Sequence, residues 1–194
     1  MPRFPFAPVA ACAMLLPSLA TAQGLAPTQP TAPPSPADTM APLDAPTYLA
    51  KAAAGDRFEI ESSRLILAKS PSAKVASFAR MMIADHTHST ARLSQAARQD
   101  GLAMPAPALD STQAAALDGL RQAQGETAQN VYLAAQRDAH TAALALHRAY
   151  ADKGDKPALR AAANAIAPVV GRHADMLAQI GGQEAQAPDT SRGR

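Results

Sequence analysis

Residues Val75–Ala97 read VASFARMMIADHTHSTARLSQAA. Val75, Phe78, Ala79, Met82, His86, Leu93 and Ala97 recur there at intervals of three, four and seven, which places them on one stripe of an α-helix. One member of that stripe is an imidazole. Upstream, Ser70-Pro71 has the form of an N-cap followed by proline in the first turn, and downstream Gly101 follows Asp100 as a stop. The spacing therefore predicts a long amphipathic helix from about Ser70 to Asp100.

The same periodicity extends in both directions. Phe58, Glu61, Ser62 and Leu65 predict a helix over about Thr47 to Lys69. After Gly101, Pro105 and Pro107 mark a loop, and Asp110 caps a short helix over about Ser111 to Gln124 that ends at Gly125. A third long helix is predicted from about Glu126 to Lys153, with Val131, Tyr132, Gln136, His140, Leu144 and His147 on one side. Gly154-Asp155 forms a turn. A fourth long helix runs from about Pro157 to Ile180, with Leu159, Ala162, Ile166, Val170, His173, Leu177 and Ile180 aligned. Pro168 is expected to kink or split it, and Gly181-Gly182 to stop it. Four long helices without a strand signal predict an all-α protein, a ferritin-like four-helix bundle with a short extra helix in the crossover.

Residues 1–22 read as a secretory signal peptide, with Arg3 in the n-region, an apolar stretch from Phe6 to Leu19, and Ala20-Thr21-Ala22 at a small-x-small cleavage site. Val9-Ala10-Ala11-Cys12 resembles a lipoprotein box, but it lies too near the start and its most apolar neighbours follow it. Cys12 is the sole cysteine, so a chain cut after Ala22 has no thiol, and any metal ligands must be nitrogen or oxygen. Residues 23–46 carry Pro27, Pro30, Pro33, Pro34, Pro36, Pro42 and Pro46 among small polar residues, a composition expected of a disordered linker. The bundle domain is expected over residues 47–180 and a disordered tail over 181–194. The implied compartment is periplasmic or extracellular. A net charge of +2 with both signs interspersed gives no basic face for nucleic acid, and no segment after the leader has the apolar length of a transmembrane helix.

An ionisable group on a core-facing stripe is costly unless paired, hydrogen-bonded or metal-bound. Glu61, His86, His140 and His173 place one such group on each of the four long helices. Imidazole and carboxylate together suit zinc, iron, manganese or copper, so these four are the candidate metal ligands. The di-iron pattern of ferritin-like bundles needs Glu three residues before a ligating His, and those positions here are Ile83, Arg137 and Val170. No nucleophile elbow, phosphate loop or metalloprotease helix is present, and Ser62 and Ser63 lack a histidine within helical reach, all of which weighs against an enzyme. Asp85 and Asp138, each adjacent in sequence to a candidate or near one, are expected on the solvent side, as is His88. His147 falls on the His140 stripe, and Met82 is core filler beside Met81. Counting residues across the two turns predicts two layers, Glu61 with His173 and His86 with His140, rather than one compact site.

The stretches Phe58–Leu65 (FEIESSRL), Val75–Thr87 (VASFARMMIADHT), Tyr132–His140 and Pro168–His173 resemble a bacterial family of exported proteins, domain of unknown function 4142, usually described as ferritin-like. The similarity spans about Ala45 to Ile180. It implies an exported helical bundle in which Glu61, His86, His140 and His173 match the family's recurrent polar positions, and it implies no particular activity. The residues thus support either an exported bundle binding a metal ion in metal handling or envelope stress, or a non-catalytic interaction module with a hydrogen-bonded polar core. Its partner would be the ion, another envelope protein or a second copy of the chain. An enzyme, an oxidase above all, is the next alternative, with the missing Glu-x-x-His pairs against it, and a histidine-based pH response is another.

Overall fold

The first helix begins where Asp44 turns its carboxylate onto the orphan backbone N–H of Thr47, with Oδ1 accepting at 2.8 Å. The computed structural model describes residues 43–184, with side chains to Ile180; the expected signal peptide, nearly all of the expected linker and the last ten residues lie outside these. The described residues form α1 (Ala45–Leu67), α2 (Ala73–Gln99), α3 (Ser111–Gln122), α4 (Gly125–Lys153) and α5 (Pro157–Glu184), and contain no strand. The protein is all-α. As expected, α3 lies in the connection between α2 and α4, and Asp110 caps it in a reciprocal box with Gln113.

Several boundaries differ from the sequence expectation. Ser70 has φ 52° and belongs to the turn leaving α1, while Ser72 is the N-cap of α2. Pro168 does not split α5, and the helix runs through Gly181-Gly182 to Glu184. Proline removes one i→i−4 donor, but Asn164 and Pro168 are both exposed, so water can satisfy the freed carbonyl.

The larger correction concerns α1. Its core-facing set is Ala45, Leu49, Ala52, Asp56, Glu59, Ser63 and Ile66, spaced four and three alternately like a heptad seam, and every member is buried. Two carboxylates interrupt this seam, and their polarity hides it from a search for apolar periodicity. The stripe read from Phe58, Glu61, Ser62 and Leu65 is rotated from the true one. Phe58 and Ser62 are nonetheless buried at its flank, whereas Glu61 is only half-buried.

In the helical bundle α1 packs against α2 and α4, and α5 against the same two, while α3 lies across α1 and α4. The neighbouring long helices run antiparallel. Along α1 and α4, Tyr48 meets His147 and Ser63 meets Tyr132, through hydrogen bonds of 2.9 and 2.8 Å. Between α2 and α5 the register is pinned at one end, where Asp100 accepts from the first free N–H groups of α5, Ala158 (3.2 Å) and Leu159 (2.8 Å). His86 lies fourteen residues back from Asp100 and His173 fourteen residues on from Leu159. Equal lengths of antiparallel helix therefore bring the two histidines to one depth.

Two apolar clusters fill the bundle. One comprises Tyr48, Leu49, Leu93, Ala97, Tyr150, Leu159, Ile166 and Val170 among others. The second comprises Ile66, Val75, Phe78, Met82, Leu120, Tyr132, Leu133 and Leu177 with their neighbours. Each fully buried leucine stabilises the fold by roughly 2–3 kcal/mol through burial alone. Between the clusters along the helices fall Asp56, Glu59, His86, Ser89, Gln136, His140 and His173, all buried. A polar layer divides the core.

Candidate metal centre

Each of three helices supplies one histidine to this layer, and a different group grips the outward nitrogen of each. His86 Nδ1 donates to Asp56 Oδ1 at 2.8 Å. Asp56 is itself oriented by Thr90, whose hydroxyl reaches Oδ2 at 2.9 Å. His140 Nδ1 donates to the backbone carbonyl of Gln136, one turn earlier on α4, at 2.8 Å. His173 Nε2 donates to Asp85 Oδ2 at 2.9 Å. A carbonyl or carboxylate oxygen only accepts, so each bond places the ring proton on the outward nitrogen. In the neutral ring the inward nitrogen, His86 Nε2, His140 Nε2 or His173 Nδ1, is then a lone pair.

These rings lie close together. Their centroids are 5.7 Å apart for His86 and His140, 5.8 Å for His86 and His173, and 5.4 Å for His140 and His173. His140 Nε2 and His173 Nδ1 approach to 3.3 Å, and one ligand atom from each of the three rings lies within 4.8 Å of the others. A tetrahedral ion with nitrogen at ~2.1 Å holds its ligands about 3.4 Å apart, so one pair already has that separation and the third ring needs only about an ångström of movement.

Two lone pairs facing each other at 3.3 Å repel unless a proton or a metal ion lies between them. Neutral rings are favoured for two of the three. Burial pushes His140 down to about 3, with His86 and His173 adding to the effect. Burial also lowers His173, though Asp85 opposes it. For His86 burial again disfavours charge, but Asp56, Glu59 and Asp85 together outweigh it and raise its affinity for a proton. The same negative field favours a metal cation at Nε2.

Glu59 completes the layer. It is 2% exposed, its Oε1 lies 3.6 Å from His140 Nδ1, and neither carboxylate oxygen has a hydrogen-bond partner. Burial raises it to about 7, against the pull of His86 and Gln136. Gln136 donates Nε2 to Ser62 Oγ at 3.1 Å, and Ser62 donates onward to the Glu59 carbonyl at 3.2 Å. Phe78 closes the layer on the side of the second apolar cluster, its ring centroid 6.3 Å from that of His140 and 6.5 Å from that of His173. Among the described residues, the buried side-chain atoms without a partner are both Glu59 oxygens, His86 Nε2, Ser89 Oγ and Gln136 Oε1, and all belong to this layer. Buried polar groups are otherwise almost always satisfied.

A family model described as "Domain of unknown function (DUF4142)" matches residues 29–180. The chain belongs to that family. No curated protein and no solved structure matches it. DUF4142 carries no activity in its description, so the chemistry of this member rests on its own side chains.

Of the four residues singled out from sequence, His86, His140 and His173 come together, in one layer and not two. Equal helix lengths from the Asp100–Leu159 contact bring His86 level with His173, and the remaining offset of about three residues between His140 and His173 is spanned by side chains that lean toward the N-terminus of each antiparallel helix. Glu61 is not with them. It is part-exposed and pairs with Arg57 at 2.7 Å, while Arg57 also reaches the Pro107 carbonyl at 3.0 Å. The acidic groups of α1 that do face the histidines are Asp56 and Glu59, which the sequence reading passed over. One signal for Asp56 was available: reflecting His86 through the α1–α2 turn lands near residue 55. Asp138 and His88 are exposed as expected. Asp85, also expected on the solvent side, is half-exposed yet bonded to His173. His147 is buried beneath Tyr48 and outside the three-histidine cluster.

Proposed function

We propose that this DUF4142 protein is an exported metal-binding protein that holds one transition-metal ion through His86 Nε2, His140 Nε2 and His173 Nδ1. The observation that carries the reading is three buried rings with one ligand atom each within 4.8 Å of the others and every outward nitrogen engaged. Three independent outer partners leave the inward nitrogens free to hold a cation, which also removes the repulsion between them. Asp56, Gln136 and Asp85 then act as the outer shell that fixes ring orientation, and such partners commonly govern metal affinity 10–100-fold. Asp56 and Asp85 together offset the charge of a divalent ion. Three imidazoles, with no thiolate among the described residues, suit zinc, iron, manganese or copper. The paired antiparallel helices and long crossover favour a ferritin-like course for the four long helices, but the Glu-x-x-His pairs of di-iron oxidases are missing, so metal handling or protection of the cell envelope fits better than oxidative catalysis. The reading of an exported protein, periplasmic or secreted, rests on the signal-like residues 1–22.

Elemental analysis tests the proposal. The purified chain is exposed in turn to zinc, iron, manganese and copper, desalted, and compared with the triple variant His86→Ala, His140→Ala, His173→Ala. Retention near one ion per wild-type chain, lost in the variant, is the expected result; no retained ion in the wild type would refute it. A second reading, a non-catalytic module with a purely hydrogen-bonded core, draws on the satisfied pairs Tyr48–His147 and Ser63–Tyr132, which need no metal.

A further inference from the structure

A cleft of about 100 Å³ enters the bundle between α2 and α5 and ends on the histidine cluster. Its walls include His86, Ser89, Ile166, Val170 and His173, and Asp85, His88, Arg92 and Ala165 also line it. Three features show that it is more than a packing gap. It reaches two of the three converging rings rather than stopping at an apolar wall. One of those rings, that of His86, carries a buried nitrogen, Nε2, without a partner. Ser89 Oγ is likewise buried without a partner, in a residue 7% exposed. A hydroxyl inside a helix usually finds the carbonyl one turn back, so an unpaired one in a residue that lines a cleft has hydrogen-bonding capacity to spare.

Three nitrogen ligands leave a tetrahedral ion one position short, which is how exchangeable zinc-type sites differ from closed structural ones. Among the described residues, no fourth His, Cys, Asp or Glu joins the three rings within the same reach. Glu59 approaches the outer nitrogen of His140, not the converging ones. The cleft approaches the cluster from the α2–α5 side, where Asp85 is already engaged by His173 and the exposed Arg92 contributes positive charge.

We propose that the α2–α5 cleft seats an exchangeable small ligand on the metal ion: a water-sized or linear triatomic anion that binds the open position and accepts a hydrogen bond from Ser89 Oγ. This rests on the metal-binding reading above. The seat has room for a few waters or one such anion, and for nothing with a large apolar body. The centre would then exchange ligands and would not be a closed structural clamp.

Cobalt(II) and azide serve as probes, because the visible bands of cobalt report its coordination. The wild-type chain, Ser89→Ala and Ala165→Trp are loaded with cobalt, quantified, and titrated with azide. Ala165 is exposed at the cleft, so its indole covers the mouth with little demand on the core. The expected result is equal cobalt content in all three and an azide-dependent band shift in the wild type. Ser89→Ala should weaken azide binding roughly five- to tenfold, the worth of about one hydrogen bond, and Ala165→Trp should abolish or greatly slow the shift. Bound cobalt whose bands ignore azide would overturn this inference and leave the metal site standing. Equal azide affinity and rate in all three chains would overturn it too, by showing another route. No cobalt bound to the wild type would overturn both. If Ala165→Trp fails to fold, Ser89→Ala alone decides.

Discussion

Glu59→Gln should make the metal-free protein more stable, and increasingly so as pH rises. Glu59 is 2% exposed with no partner for either oxygen, and burial holds its proton to about pH 7 where an ordinary glutamate loses it near 4.5. Between those values the folded chain binds a proton that the unfolded chain has released. The stability this contributes is fully present below about pH 4.5 and is lost as pH rises through 7, up to about 3 kcal/mol at ~1.4 kcal/mol per pH unit. Glutamine keeps the shape and does not titrate, so it escapes that loss. Burial is the largest influence on Glu59, with His86 opposing it, so the difference between the two chains reports mainly the desolvated carboxyl. Urea unfolding with chelator present, at pH 5 and pH 8, gives the double difference directly. The advantage of Glu59→Gln over wild type should grow by about 2–3 kcal/mol between the two. Parallel pH dependences, or a variant less stable at pH 8, would refute the reasoning and mean that the carboxylate is ionised and paired in the fold.

Asp85→Asn should lower metal affinity about 10–100-fold with a stability change under about 1 kcal/mol, because the carboxylate orients His173 but is itself 36% exposed; competition with a chromogenic chelator, alongside thermal melts, checks both halves. His147, pushed down to about 4 by burial, should make the metal-free fold weaken as pH falls from about 6.5 toward 4, since only the unfolded chain takes up that proton. His147→Gln, which retains a partner for Tyr48, should flatten the denaturation midpoint over that window. Gly154→Ala should destabilise by about 1–3 kcal/mol, because its Cβ would meet the Tyr150 ring and carbonyl at 2.6 Å; a drop in midpoint without a change in slope in urea would confirm it.

The sequence by itself determined that the chain is helical, where its long helices run to within a few residues, and that three histidines face the core. Those are consequences of a 3.6-residue period, capping residues and glycine turns, all local in the chain. It misplaced the acidic partner because the α1 seam is carried partly by Asp56 and Glu59, and polar residues at seam positions erase the apolar signal that reveals a helix's facing. Only the tertiary structure decided that the histidines form one cluster. Their common depth depends on where Asp100 caps α5, and their tautomers on Asp56, the Gln136 carbonyl and Asp85, two of which come from other helices. Depth and rotation between helices are set by contacts distant in sequence, so a difference of one turn, invisible to periodicity, separates scattered core histidines from a site able to hold an ion.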